Sequence, residues 1–289
     1  MGRSIDTGSI GAGNIDMGKE TVLIMGANGR IGRALRQFAP DPSRFALQAR
    51  ARPAAALPAE NWHILSPLAA PEQLCAAAQG CDQILCLAGV VQGQLSDNSA
   101  LALAAIDAAR AAGARRVVLT SSAAVYGAQA GLLREDQMLQ PLNDYGRAKA
   151  EMEAQARAAA CGVELVILRI GNVAGFDAIL GGWKPGFCLD QFADGTTPRR
   201  SYIGVKTLAQ ALVDLLDCAQ LPEVLNLAQP GPIAMGDLLR AADLSFTTRA
   251  APPTAIAEVA FDLSLLNAHI TVAPAEVQAL VAQWRHLAL

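Results

Sequence analysis

Short apolar runs recur along the chain from Thr21, separated by longer, Ala-rich stretches. The runs cover 22–25, 45–49, 62–65, 83–88, 116–121 and 164–170. Little apolar–polar alternation interrupts them, which is how strands buried on both faces of a parallel sheet read. Helices are predicted at 32–38, 71–79, 97–112 and 144–160, the last two ending near Gly113 and Gly162, residues suited to C-terminal caps. Alternating strands and helices predict an α/β fold, a Rossmann-like doubly wound parallel sheet.

Beyond Ile170 the pattern loosens. The segment 175–202 is rich in Gly, Pro and aromatics and reads as a loop-built wall. A helix at 207–219 and a strand at 224–227 follow, and 229–289 reads as a small, helical, substrate-binding cap over the C-terminal edge of the sheet, where α/β sheets bind ligands. The expected organisation is a flexible, dispensable leader at 1–18, a dinucleotide-binding domain at 19–176 to which 201–228 returns, and a small substrate-binding region made of 177–200 and 229–289.

Composition narrows the function. The 289 residues are 52% hydrophobic and 17% charged, which excludes disorder over most of the length. A net charge of -3 argues against a general nucleic-acid binder, and 4% aromatics against base-stacking platforms. No uncharged apolar run reaches the ~20 residues that span a bilayer, and the N-terminus lacks the apolar core of a secretory signal. Six cysteines without a C-x-x-C pair read as free thiols in a reducing cytoplasm, the expected location. His63, His269 and His286 are far apart in sequence, so no metal is expected.

The chemistry begins at Gly26-Ala-Asn-Gly-Arg-Ile-Gly32, which follows the first strand and opens a helix. Gly26 permits a tight turn, Gly29 lets a pyrophosphate approach the backbone, and Gly32 lets helix and strand pack closely. The helix start aims N–H groups at the phosphate. At the end of the second strand an NAD site usually carries an acid for the ribose hydroxyls; here the residues are Ala49-Arg-Ala-Arg52. Arg50, Arg52 and Arg30 match a 2′-phosphate, so NADP is favoured, with NAD as the alternative.

Two further signals sit downstream in the right order. Tyr145 and Lys149 are four apart on a predicted helix and so share a face; a lysine cation beside a phenol makes it a better acid/base. Ser122 ends the buried run 116–121 at the edge where ligands bind, and would donate to a substrate oxygen.

With these motifs the chain resembles the short-chain dehydrogenase/reductase superfamily, and most closely its extended branch, the NAD-dependent epimerase/dehydratase family. The resemblance runs from Thr21 to about Asn226 and rests on GANGRIG, CDQILCLAG, DNSALALAAIDAARAAGARR, LTSSAAVYG, YGRAK and LRIGNVAG. It implies a small-molecule substrate, sugar-like or another carbonyl or alcohol. Tyr145 is then the catalytic acid/base, Lys149 binds the nicotinamide ribose and tunes Tyr145, and Ser122 orients the substrate oxygen. Asn98 joins this set as the family's structural Asn. Gly26, Asn28, Gly29, Arg30, Ile31, Gly32, Leu87, Ala88 and Gly89 line the cofactor. Asn172 and Val173 lie beside nicotinamide and substrate, and Arg200 reaches the substrate. Relatives of this kind pair as homodimers through the helices 97–112 and 144–160.

The departures are informative. Ser66-Pro67-Leu68 stands where the family often has Asp-Leu near the adenine, and Tyr202-Ile-Gly-Val-Lys-Thr207 stands where F-I-H-V-D-D is common. The 4,6-dehydratases carry Asp-Glu after the hydroxyl residue; here Ala123-Ala124 follow Ser122, which disfavours dehydration. An NAD(P)-dependent epimerase or reductase is therefore expected. The alternatives are a non-catalytic NADP-sensing regulator on the same fold, a class that usually lacks the Tyr/Lys pair, and a scaffold with a vestigial pocket.

Overall fold

The computed structural model describes residues 20–54, 60–129 and 131–287; the expected leader at 1–18 lies outside them. In chain order the elements begin β1 (Val22–Met25), α1 (Arg30–Phe38), β2 (Phe45–Ala49), β3 (Asn61–Ile64), α2 (Pro71–Ala78), β4 (Gln83–Cys86), α3 (Asp97–Ala112), β5 (Arg116–Ser122), β6 (Leu132–Leu133) and α4 (Asp144–Ala159). They continue with β7 (Glu164–Ile170), β8 (Asn172–Val173), β9 (Cys188–Gln191), β10 (Arg199–Ile203), α5 (Val205–Leu216) and β11 (Val224–Leu227). The chain closes with β12 (Pro232–Ala234), α6 (Met235–Ala241), β13 (Thr247–Ala250), β14 (Glu258–Phe261), α7 (Ser264–Asn267) and α8 (Val277–Arg285).

Seven strands form one parallel sheet in the order β11-β7-β5-β4-β1-β2-β3. The apolar runs of β1, β2 and β4 are buried at every position, because helices cover both faces. Leu74 of α2, Ala102 and Ile106 of α3 and Met152 of α4 pack on one face; Leu35 of α1 and Leu208 and Leu212 of α5 pack on the other. Strand order reverses between β1 and β4, so a crevice opens above their C-terminal ends.

The remaining strands correct the expected loop wall and helical cap. β9 and β10 lie within 175–202, and β10 joins β12, β14 and β6 in a second sheet. β13 pairs with β9 in a third. Mixed composition hid these short strands, each completed by a distant partner. The cap is thus built of strands as well as helices. It is tied to the main domain by α8, whose Gln283 Oε1 accepts from the backbone N–H of Lys206 and Thr207, both at 3.0 Å, at the otherwise uncapped start of α5. Among the described residues no helix is long and apolar enough to cross a membrane.

Candidate active site and cofactor cleft

β1 delivers the chain to Gly26 with φ +78°, a conformation that disfavours any side chain, and a Cβ there would lie 2.8 Å from Ala88 N. At Gly32 a Cβ would lie 2.5 Å from Ala27 O, so α1 sits directly on the turn. The Gln48 side chain holds this turn, accepting from Gly26 N at 2.9 Å and donating to Leu65 O at 2.8 Å. Sequence reasoning missed Gln48; its signal was a polar residue inside the buried run 45–49.

Above the strand ends lies a cleft of about 430 Å³. Gly26, Asn28, Gly29, Arg50, Leu87, Ala88 and Gly89 line it, all expected cofactor residues. Ser66, Pro67 and Leu68 close it on the β3 side, and Asp97 and Leu101 also line it. A glycine-floored cleft at a helix N-terminus suits a dinucleotide diphosphate.

Other expected cofactor residues are used differently. Ile31 and Val173 pack with the main apolar core. Arg30 donates to Phe176 O at 2.6 Å and its guanidinium lies 5.5 Å from the centre of the Phe176 ring. Arg52 is exposed and not among the cleft-lining residues. Asn98 is 1% exposed and fully engaged: Nδ2 donates to Val90 O and Leu95 O, both at 2.9 Å, and Oδ1 accepts from Val90 N at 3.1 Å. It fixes the loop between β4 and α3, beside the cleft.

α4 begins at the cap Asn143, whose side chain accepts from Gly146 N at 2.8 Å. Its first two turns carry Tyr145 and Lys149 toward the end of β5. The half-buried Tyr145 phenol is hydrogen-bonded to Ser122. Burial pushes the phenol above its ordinary range, while that bond and the Arg30 charge pull it back. Lys149 is 4% exposed and donates to Thr120 O at 2.9 Å. Burial pulls its ammonium down to about 8, against the neighbouring Cys86 and Glu153.

Next to Ser122 lies a second cavity of about 240 Å³. Asn172, Arg200, Leu142, Ile256 and Val259 help line it, so the structure gathers Ser122, Asn172 and Arg200 there. Asn172 pairs in register with Tyr202 of β10, whose buried phenol donates to Asp177 Oδ2 at 2.8 Å. Tyr202 lies in the segment that departs from the family pattern, and its hydroxyl is the reason the departure matters. Among the described residues no three His, Cys, Asp or Glu side chains converge as metal ligands.

A sequence model of the NAD dependent epimerase/dehydratase family matches residues 22–179. A UDP-glucose 4-epimerase of Azospirillum brasilense is 44% identical over 84 residues, which are 28% of this chain and 24% of that protein; the match thus spans about a quarter of its length. The structure resembles a UDP-glucose-4-epimerase of Stenotrophomonas maltophila with bound NAD, with a TM-score of 0.75 at 20% identity over 92% of this chain and 97% of that one. It also resembles a dTDP-glucose 4,6-dehydratase of Streptomyces venezuelae with NAD, with a TM-score of 0.71 at 17% identity over 92% and 97%.

These neighbours correct the expected preference for NADP, since they carry NAD. The arginines do not provide a 2′-phosphate site either. Arg30 is committed to Phe176 and Arg52 does not line the cleft, which leaves Arg50 alone of the three. Epimerase and dehydratase both appear among the neighbours, so the fold does not separate those reactions.

Proposed function

This chain belongs to the NAD dependent epimerase/dehydratase family, and from that membership we propose that it uses NAD to oxidise, reduce or epimerise a hydroxyl- or carbonyl-bearing, sugar-like substrate through Ser122, Tyr145 and Lys149. An NAD(P)-binding oxidoreductase or epimerase on a Rossmann fold is the coarse activity that membership carries. One observation supports the finer reading above the others: Ser122, bonded to Tyr145, lines a cavity together with Asn172 and Arg200.

Bound NAD supplies the hydride acceptor. The chain's own residues do the rest. Ser122 donates to the substrate oxygen and fixes it near the phenol. Tyr145 removes the hydroxyl proton at that oxygen, or returns it in the reverse direction. Lys149 holds a positive charge beneath the cleft and favours the phenolate. Leu142, Ile256 and Val259 keep that side of the cavity apolar, which strengthens these polar contacts.

Dehydration is not part of the proposal. Ala123 and Ala124 carry no acid or base, and no Asp or Glu is among the residues lining the 240 Å³ cavity.

The test is to load the purified chain with NAD and offer a panel of nucleotide sugars and small ketones, following nicotinamide absorbance and product stereochemistry. Turnover that disappears in Tyr145→Phe is expected. Full turnover in that variant overturns the assignment, and NAD binding without turnover on any such substrate points to a sensing protein instead.

A further inference from the structure

Tyr145, Lys149 and Glu153 follow one another at four-residue intervals on α4 and so stand on one face of the helix. Three consecutive residues at the end of β5 meet them. Ser122 bonds the Tyr145 phenol, Thr120 O accepts from Lys149 Nζ at 2.9 Å, and Ser121 Oγ donates to Glu153 Oε1 at 2.6 Å. The first two contacts belong to the proposed site. The third does not, although it is the most deeply buried.

The Glu153 side chain is 0% exposed, and both its oxygens are occupied. Arg169 of β7 donates to Oε1 from Nε at 3.1 Å and to Oε2 from Nη2 at 2.8 Å. Arg157, one turn further along α4, donates to Oε2 at 3.3 Å. Arg169 is itself fixed, donating to the Tyr126 hydroxyl and to Glu135 O, both at 2.9 Å. A buried ion pair is a poor source of stability, because desolvating both charges offsets most of their attraction. A pair of this kind one turn below a lysine of the proposed site calls for another explanation.

Besides the Tyr145 phenol one turn earlier on α4, which burial raises and so keeps neutral, the charged and titratable groups around Lys149 are few. Cys86 of β4 faces it with a thiol that burial pushes up to about 11, so that thiol is neutral. Gly89 adjoins it from the β4–α3 side and carries no charge. Met152 Sδ lies 3.8 Å from Nζ. Glu153 is the remaining anion, with Arg169 and Arg157 bound to it.

We infer that Glu153 is a positioning residue for this site: its carboxylate clamps Ser121, so that Thr120 and Ser122 stay in register with Lys149 and Tyr145, and it supplies the fixed negative charge that favours the ammonium form of Lys149. Its value to catalysis rests on the reading given above, but its effect on Lys149 is a property of the folded chain and is measured without substrate.

The chain has four lysines, at 19, 149, 184 and 206, so carbon-13 labelling at the lysine ε position gives a spectrum simple enough to titrate. Lys149, assigned by its loss in Lys149→Met, is expected to titrate near 8. In Glu153→Gln its midpoint should fall further, by about half a unit or more, an about threefold loss of proton affinity. Glu153→Asp, which keeps the charge on a shorter arm, should restore most of it. If Glu153→Gln does not fold, Glu153→Gln/Arg169→Met leaves no lone buried cation and should still show a downward shift, though a smaller one, since Glu153 shares the helix face of Lys149 whereas Arg169 stands on β7. An unchanged midpoint in whichever of these variants folds overturns the inference. NAD binding by calorimetry is run on the wild-type chain in parallel; its absence would defeat the proposed function and leave the Glu153 result standing.

Discussion

The Arg30 guanidinium, at the start of α1, donates to the carbonyl of Phe176, 2.6 Å away, and lies 5.5 Å from the centre of that residue's ring. A residue of the phosphate-binding turn is thereby joined to the loop after β8. A tie of this kind holds the glycine turn in its cofactor-binding geometry. Arg30→Ala should therefore raise the NAD dissociation rate by about 3–10-fold, since an exposed cation–π contact with its hydrogen bond contributes roughly 1 kcal/mol. Stopped-flow displacement measures this, and an unchanged rate would show that the tie does not support cofactor binding.

Ser122 and Tyr145 set the pH dependence together. Burial raises the phenol, and the Ser122 bond opposes that rise. A base acts when deprotonated, so kcat/KM for oxidation should climb with pH on the way to the phenol's own pKa. Ser122→Ala removes the opposing bond and should move that climb to higher pH. A profile that stays in place or moves to lower pH contradicts the role given to Ser122.

Lys149 carries a cost that the fold bears. Its ammonium is pulled down to about 8 from an ordinary 10.5 because it is buried. Between those values the unfolded chain binds more protons than the folded one, so wild-type stability should rise with pH across that window. Lys149→Met should stabilise the protein at neutral pH by on the order of 2 kcal/mol, after allowing for the lost bond to Thr120 O. That advantage should shrink as the pH approaches 10.5. Urea unfolding at several pH values tests both the sign and the window.

Gly26 allows a sharper test of the cleft floor. Its φ of +78° and the 2.8 Å approach of Ala88 N to an added Cβ make Gly26→Ala strained on two counts. The variant should lose about 2–3 kcal/mol in chemical denaturation and bind NAD much more weakly. Wild-type stability in this variant would mean that the turn relaxes more easily than its contacts imply.

Much of the site was readable because its residues are local in sequence. GANGRIG encodes a turn and a helix start within seven positions, and Tyr145 and Lys149 share a face by helical geometry alone. The arginines were not readable in this way, because the partner of Arg30 is distant in the chain. Two arginines follow the second strand and one stands in the glycine turn, but only contacts with Phe176 and the boundary of the cleft decided which of them faced it. Glu153 was invisible as well, because its partners Ser121 and Arg169 are 32 and 16 residues away.

The sequence by itself determined the parallel sheet, its helices and the order of the chemical motifs, because hydrophobic runs and helical spacing act over a few residues. Tertiary structure alone decided the strands of the cap, the partner of Arg30, the pairing of Asn172 with Tyr202 and the clamp on Ser121. Each of those depends on a side chain or strand completed by residues far away in the chain, and such pairings leave no local period for a sequence to display.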